Sequence, residues 1–382
     1  MSEYQYYEFQ AVDRPLTEKE KQELRSHSTR ARITPTSFVN DYSWGGFKGD
    51  EDKWMEKYFD AFLYLANWGT HILKLRFPCG LLDPKTVQMY CPGEGAFAYE
   101  KNGKVILTFL SEEEEGDEWT EGDGLLSSLI SVRAEIAAGD LRGLYLGWLL
   151  CVQNGELDEE EIEPPVPPGL GQLSASLESL NEFLRIDPHL LQVAAQGSQI
   201  IEDTAPGKEE VLKWVGRLPS GEKDDILARL IAGKAPSLTT ELFRRFIKES
   251  RKGDREIAEK SQGRTVGELL HAAEERAEEQ RRLTARKAAE EKAKRDREAV
   301  MARVKYLQEI AGREPRVWKQ VEDLIATKHP KNYDQAVKLL LDLQELAANK
   351  GRVDEFKSKL GTLRAAEARK PSFLKRLGKA RL

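Results

Sequence analysis

The sequence predicts an α+β N-terminal domain with a small antiparallel sheet, followed by an all-α region with one long solvated helix and a C-terminal three-helix module. Three observations carry that reading. Residues 71–77, His-Ile-Leu-Lys-Leu-Arg-Phe, alternate with period two as a half-buried strand does. Asn102-Gly103 follows between two apolar runs, a strong hairpin signal. Residues 265–311 lack proline, and after Gly267 they lack glycine. They are rich in Glu, Lys, Arg and Ala, which are strong helix formers.

In chain order, residues 1–50 read as aromatic-rich and irregular, apart from one helix start. Thr17 followed by Glu20, with Pro15 upstream, is a capping-box pattern. Residues 50–67 place Trp54, Tyr58, Phe62 and Leu65 at helical spacing, with Gly69 as a stop. Strands are expected at 71–77, 87–91, 96–100 and 105–109, in a sheet of three to five strands. The run 112–118 reads as an acidic loop, and helices are expected at 125–138 and 141–153.

Residues 157–171 combine Asp158, Glu159, Glu160, Glu161 and Glu163 with Pro164-Pro165-Val166-Pro167-Pro168-Gly169. That composition reads as a stiff, solvated linker. Beyond it, helices are expected at 174–184, 188–195, 208–217, 222–232 and 239–249. The long helix would reach roughly 65–70 Å at 1.5 Å per residue. Between Ala273 and Val300 its only large apolar residue is Leu283. A coiled coil needs large residues at positions a and d, so a solvated helix held by i,i+4 ion pairs is expected, in a monomer or weak dimer. Helices at 317–327, 333–348 and 353–368 complete the module. The domain reading is therefore 1–156 (α+β), 157–171 (linker), 172–255 (helical), 256–312 (long helix) and 313–382 (module with basic tail).

Composition bounds the function classes. Apolar residues make up 40% and charged residues 32% of the 382, enough for a core and a large polar surface. The longest apolar run, around Leu144 to Val152, is too short to span a bilayer. The N-terminus shows no signal-peptide pattern. Cys79, Cys91 and Cys151 are odd in number and widely spaced, which fits a reducing, cytoplasmic compartment rather than a disulfide framework. The net charge of −6 divides into −15 over residues 1–170 and +9 over 171–382. Opposite charge at the two ends suggests that they meet different partners, or each other.

No catalytic or metal motif emerges. Gly93-Glu94-Gly95-Ala96-Phe97-Ala98 spells GxGxxA, but a dinucleotide fingerprint must end a strand and open a helix. Here a strand follows, so the string reads as a turn. His27, His71, His189, His271 and His329 never approach each other or a cysteine at ligand spacing. No cofactor is expected. Two segments are candidate partner-binding surfaces. The first is the aromatic, basic stretch with Arg32, Trp44, Phe47 and Lys48, which would stack bases or a peptide if exposed. The competing reading packs Tyr42, Trp44 and Phe47 into the core. The second is the tail with Lys370, Phe373, Lys375, Arg376 and Lys379, which would contact phosphates or an acidic protein; the competing reading is a short basic helix that caps the module.

Several strings carry a resemblance. Residues 7–17 (Tyr-Glu-Phe-Gln-Ala-Val-Asp-Arg-Pro-Leu-Thr), 33–38, 141–150 and 164–170 resemble a family of uncharacterised bacterial proteins nearly end to end. Residues 318–325 through 370–377 resemble the C-terminal helical segment of bacterial SWIM zinc finger proteins. The SWIM motif itself, Cys-x-Cys followed by Cys-x-His, is absent, so no metal or nucleic-acid residue carries over. The resemblance implies a bacterial cytoplasmic protein with a shared helical module. The leading expectation is a non-catalytic interaction or scaffold protein. The alternative is nucleic-acid association through the basic C-terminal half, and the third is an enzyme with a cryptic N-terminal site.

Overall fold

The structure, a computed structural model, describes residues 4–113, 122–200, 208–232 and 263–382, with Leu238, Leu242, Arg245, Phe246 and Glu249. Most of the expected helix at 239–249 and most of the acidic loop at 112–118 lie outside these residues. The chain divides into two compact units, 1–279 and 280–382, and the division falls within one helix.

The first unit is α+β, built on a seven-stranded antiparallel sheet. In chain order it holds β1 (Gln5–Gln10), α1 (Glu18–His27), β2 (Arg32–Ile33), β3 (Ser37–Tyr42), α2 (Glu51–Lys57), β4 (Ala61–Ala66) and β5 (His71–Pro78). Then come α3 (Pro84–Tyr90), β6 (Ala96–Lys101), β7 (Lys104–Ser111), α4 (Leu125–Ala137) and α5 (Arg142–Gln153). Helices α6 (Ala175–Leu184), α7 (Pro188–Ala195), α8 (Lys208–Arg217) and α9 (Ser220–Ile231) follow. The strand order is β2-β3-β1-β4-β5-β7-β6. Asn102 and Gly103 both take positive φ, 54° and 72°, as the expected two-residue hairpin turn requires.

Both faces of the sheet are covered, which explains its apolar strands. One face carries Leu63, Leu65, Leu73, Leu75, Phe77, Leu107 and Phe109 into a core shared with α3–α7. Helix α5 comes close because of Gly147, where an added Cβ would lie 2.7 Å from the Phe109 ring. The other face carries Tyr7, Phe9, Phe38, Phe62 and Ile106 into an aromatic cluster with Trp54, Met55 and Phe59. Asp60, at the turn from α2 into β4, is fully buried. Its Oδ1 accepts from Arg76 Nε at 3.1 Å and Nη2 at 2.6 Å. Its Oδ2 accepts the backbone N–H groups of Val12 at 2.7 Å and Asp13 at 2.9 Å. Burial works to raise the Asp60 pKa, but Arg76 and these N–H donors outweigh it and hold the carboxyl below its ordinary value.

Several expectations need correcting. The first 50 residues contribute three strands rather than irregular chain, and the sheet has seven strands rather than three to five. The expected helix at 50–67 ends at Lys57, and 61–66 is a strand. The expected strand at 87–91 lies mostly in α3, which Asp83 caps and Pro84 opens.

The stretch 157–171 is no solvated spacer. Pro164, Pro167 and Leu170 are buried, and Tyr90 donates its hydroxyl hydrogen bond to the Pro165 carbonyl at 2.5 Å. Glu163 is buried and accepts from the Tyr145 hydroxyl and, at 2.8 Å each, from Arg264 Nε and Nη2. Arg264 also donates to the carbonyls of Val193 and Ala194. Gly267 and Val266 donate their N–H groups to the carbonyls of Glu159 and Glu161. The acidic stretch therefore binds the start of the long helix, α10 (Val266–Gly312), and Val266, Leu269 and Ala273 join the core of the first unit.

In the second unit, α11 (Glu314–Ala326), α12 (Pro330–Asn349), α13 (Val353–Ala366) and α14 (Pro371–Lys379) pack with the end of α10. The unit has four helices after α10, because the basic tail is itself a helix, 371–379, the short capping helix of its competing reading. Its apolar spacing drives this: Phe373 and Leu377, four apart, are fully buried against Tyr333 and the rest of the core. From Gln280 to Ala302 every α10 residue is exposed, as the scarcity of large apolar residues predicts. Arg286–Glu290 at 2.9 Å and Arg295–Glu291 at 3.9 Å are i,i+4 pairs along it.

Candidate interaction surfaces

The two candidate segments separate into core residues and exposed ones. Phe47 stacks on Tyr7 with ring centroids 5.0 Å apart and meets Trp54 edge-on at 4.8 Å, so it belongs to the aromatic cluster. Phe373 is core as well, so neither phenylalanine is a docking side chain. Trp44 is 73% exposed at the tip of the loop after β3. Gly45, with φ 79°, makes that tip, and its carbonyl accepts from Gln5 Nε2 at 2.7 Å. Arg30, not Arg32, lies over the indole, 5.8 Å from the ring centroid. Arg32 points to Asp123 at 3.3 Å, and Lys48 is exposed. Both arginines belong to the same basic stretch, and β2 takes Arg32 into the sheet edge beside Val39.

The C-terminal cations form a better-defined surface. Arg376 Nε donates to Asp334 Oδ1 at 2.7 Å, and its guanidinium lies 6.0 Å over the Tyr333 ring. That contact joins the outer faces of α12 and α14. Lys331 and Lys338 stand one turn to either side of Asp334 on α12, and Lys379 stands one turn beyond Arg376 on α14. Lys331, Lys338 and Lys379 are exposed and have no ion pair among the described residues. Three lysines therefore lie about one helical turn from the Arg376–Asp334 pair, two along α12 and one along α14. Lys375 is exposed beside them, whereas Lys370 is engaged by Glu367 at 2.7 Å and by the Ile325 carbonyl at 3.1 Å. Lys331 and Lys338 were missed as candidates. Their seven-residue spacing was legible, but their nearness to Arg376 depends on how α14 packs.

The fold boundary sharpens the charge division. Residues 280–382 carry 27 lysines and arginines against 14 aspartates and glutamates, a net +13, and residues 1–279 sum to −19.

The residues that suggested chemistry are engaged structurally. The Gly93–Gly95 turn is closed by Glu156, whose carboxylate accepts the Gly95 N–H at 3.0–3.1 Å where a phosphate would need that donor. His71 stacks on Phe183 at 5.1 Å and bonds its carbonyl through Nδ1, and burial lowers its pKa. Burial, followed by the Glu163 charge, raises the Tyr145 pKa, which suits a hydrogen-bond donor rather than a nucleophile. Among the described residues no group of three or more His, Cys, Asp and Glu could hold a metal ion, and no helix is long and apolar enough to cross a membrane. No protein-family model matches the chain, and neither a curated protein nor a solved structure matches it.

Proposed function

We propose that this chain is an interaction protein that joins two partners, one at its acidic α+β unit and one at its basic helical unit. One observation carries the reading: charge divides where the fold divides, −19 against +13, so the two units favour partners of opposite charge. The exposed Trp44 loop is the first unit's anchor, since exposed tryptophan beside arginine is the side-chain chemistry of binding hot spots. The α12/α14 cation patch is the second unit's. The free thiols and the resemblance of residues 7–17 and 164–170 to bacterial proteins support a bacterial cytoplasmic location.

Affinity purification of the tagged full chain, with and without nuclease, tests the reading. Trp44→Ala should lose one set of co-purifying molecules, and K331Q/K338Q/K379Q another. Loss of one common set from both variants, or turnover of a metabolite by the purified chain, would remove it.

A further inference from the structure

Resting on the reading above and naming the second unit's partner, we propose that residues 280–382 bind the phosphate backbone of double-stranded nucleic acid without reading its bases.

The first support is the cation surface itself. Lys331, Lys338 and Lys379 flank the Arg376–Asp334 pair and lack ion pairs among the described residues. Along α10, Lys287, Lys294 and Arg297 are exposed and equally lack them. Cations without protein partners are the groups that displace condensed counterions from a phosphate backbone.

The second support is what the surface lacks. Single-strand binding uses exposed aromatic rings as stacking platforms. In this unit Tyr333, Phe356 and Phe373 are buried, Trp318 packs on Phe356 at 5.8 Å, and Tyr306 is half-buried with its hydroxyl on Asp342. The two partly exposed rings each carry a cation of this unit, Lys359 over Trp318 at 5.8 Å and Arg303 over Tyr306 at 5.5 Å. A protein partner would call for an apolar centre inside a polar rim. Around the α12/α14 patch, Val337, Leu340, Phe373 and Leu377 all turn into the core, and Leu339, Leu341 and Leu374 are each only partly exposed. On α10, Val300, Met301 and Val304 are exposed beyond Arg297, so it is the α12/α14 patch whose charge, without open rings or a large apolar centre, fits a polyanion contacted through its backbone.

The test is fluorescence anisotropy of the full chain with a labelled 20-base-pair DNA duplex, an RNA duplex and the corresponding single strands, across a salt series. Two duplexes of unrelated sequence should bind alike, and no single strand more tightly. Affinity should fall linearly on a log–log salt plot. K331Q/K338Q/K379Q should reduce that slope by about 2.7, since each phosphate-neutralising cation contributes about 0.9. A control variant, K19Q/K85Q in the acidic unit, should leave the slope unchanged. Absent or salt-independent duplex binding, preference for single strands, or an unchanged slope in the triple variant would overturn the proposal. So would salt-sensitive self-association of the chain without nucleic-acid binding, because the basic unit would then be engaging the acidic unit of another copy. If duplex binding fails but a protein still co-purifies through the three lysines, the two-partner reading stands and this inference falls. If duplex binding holds but Trp44→Ala loses nothing, the reverse is true.

Discussion

The two units treat charge in opposite ways. The acidic unit buries Asp60, Lys74, Arg76 and Glu163 and pairs each of them: Asp60 with Arg76, Lys74 with Asp52 at 2.5 Å, and Glu163 with Arg264. Among the described residues of the basic unit, Asp342 alone is buried and charged, held by Arg303 at 2.6 Å. That unit's core is otherwise apolar and its lysines stay outside. A buried charge is committed to its partner, because removing either member strands the other in low dielectric. An exposed charge without a partner contributes little to folding and is free to meet something else. Charge is therefore structural in the first unit and available in the second.

The largest expected effect tests the first half of that contrast. Asp60→Ala should destabilise the acidic unit by about 3–5 kcal/mol, the range for breaking a buried ion pair. Urea unfolding followed by tryptophan fluorescence reads it. The pair also gives a pH dependence with a definite sign. The Asp60 carboxyl lies below its ordinary value in the folded chain, so its contribution is full above about pH 4 and is lost as pH falls through the folded value. The variant should therefore lose the part of the acid sensitivity that Asp60 supplies. A change under about 1 kcal/mol would make this charge as dispensable as a surface one.

In the basic unit the corresponding residue is apolar. Phe373→Ala should cost about 3–5 kcal/mol, the range for truncating a buried phenylalanine. The loss should appear as a separate, earlier transition of residues 280–382. A variant of unchanged stability would return Phe373 to the exposed, partner-binding role that the sequence suggested.

How much was legible follows from where partners lie. Local signals read correctly: the Thr17 capping box forms, with Glu20 N bonding Thr17 Oγ1 at 3.3 Å and Thr17 N bonding Glu20 Oε2 at 2.7 Å. The Asn102-Gly103 turn and the solvated long helix also stand as expected. Strands covered on both faces did not read, because Tyr6-Tyr7 and Phe62-Leu63 place consecutive apolar residues where a one-sided strand would alternate. The proline-rich acidic stretch misled for another reason. Its composition is that of a spacer, but Glu163 meets an arginine 101 residues later, and such pairing has no local signature. The basic patch was half legible, since the lysine spacing on α12 is local and the approach of α14 is not.

A smaller effect probes that long-range pairing. Tyr145→Phe keeps the ring and removes one donor from the Glu163 carboxylate. It should cost about 1.5–3 kcal/mol, the range for hydrogen bonds to charged groups. Glu163→Gln should cost more, because Arg264 would then keep its charge without a counter-ion. If the two variants cost the same, Arg264 is satisfied by the Val193 and Ala194 carbonyls, and the buried carboxylate is less committed than the contrast requires.

The smallest expected effect is the one on which the other half of the contrast depends. K331Q/K338Q/K379Q removes three ammonium groups that have no ion pair among the described residues. Glutamine has nearly the helix propensity of lysine and keeps much of its aliphatic stem. Nothing folded is lost, and mutual repulsion around Arg376 is slightly relieved. Stability should stay within about 0.5 kcal/mol of the parent, as for ordinary surface substitutions. Urea denaturation followed by circular dichroism, resolving the transition that Phe373→Ala displaces, measures it. Unchanged folding with a lower salt slope for duplex binding would separate the two uses of charge within one molecule. A loss above about 1 kcal/mol would mean that these lysines hold the helices together, and that charge is structural in both units.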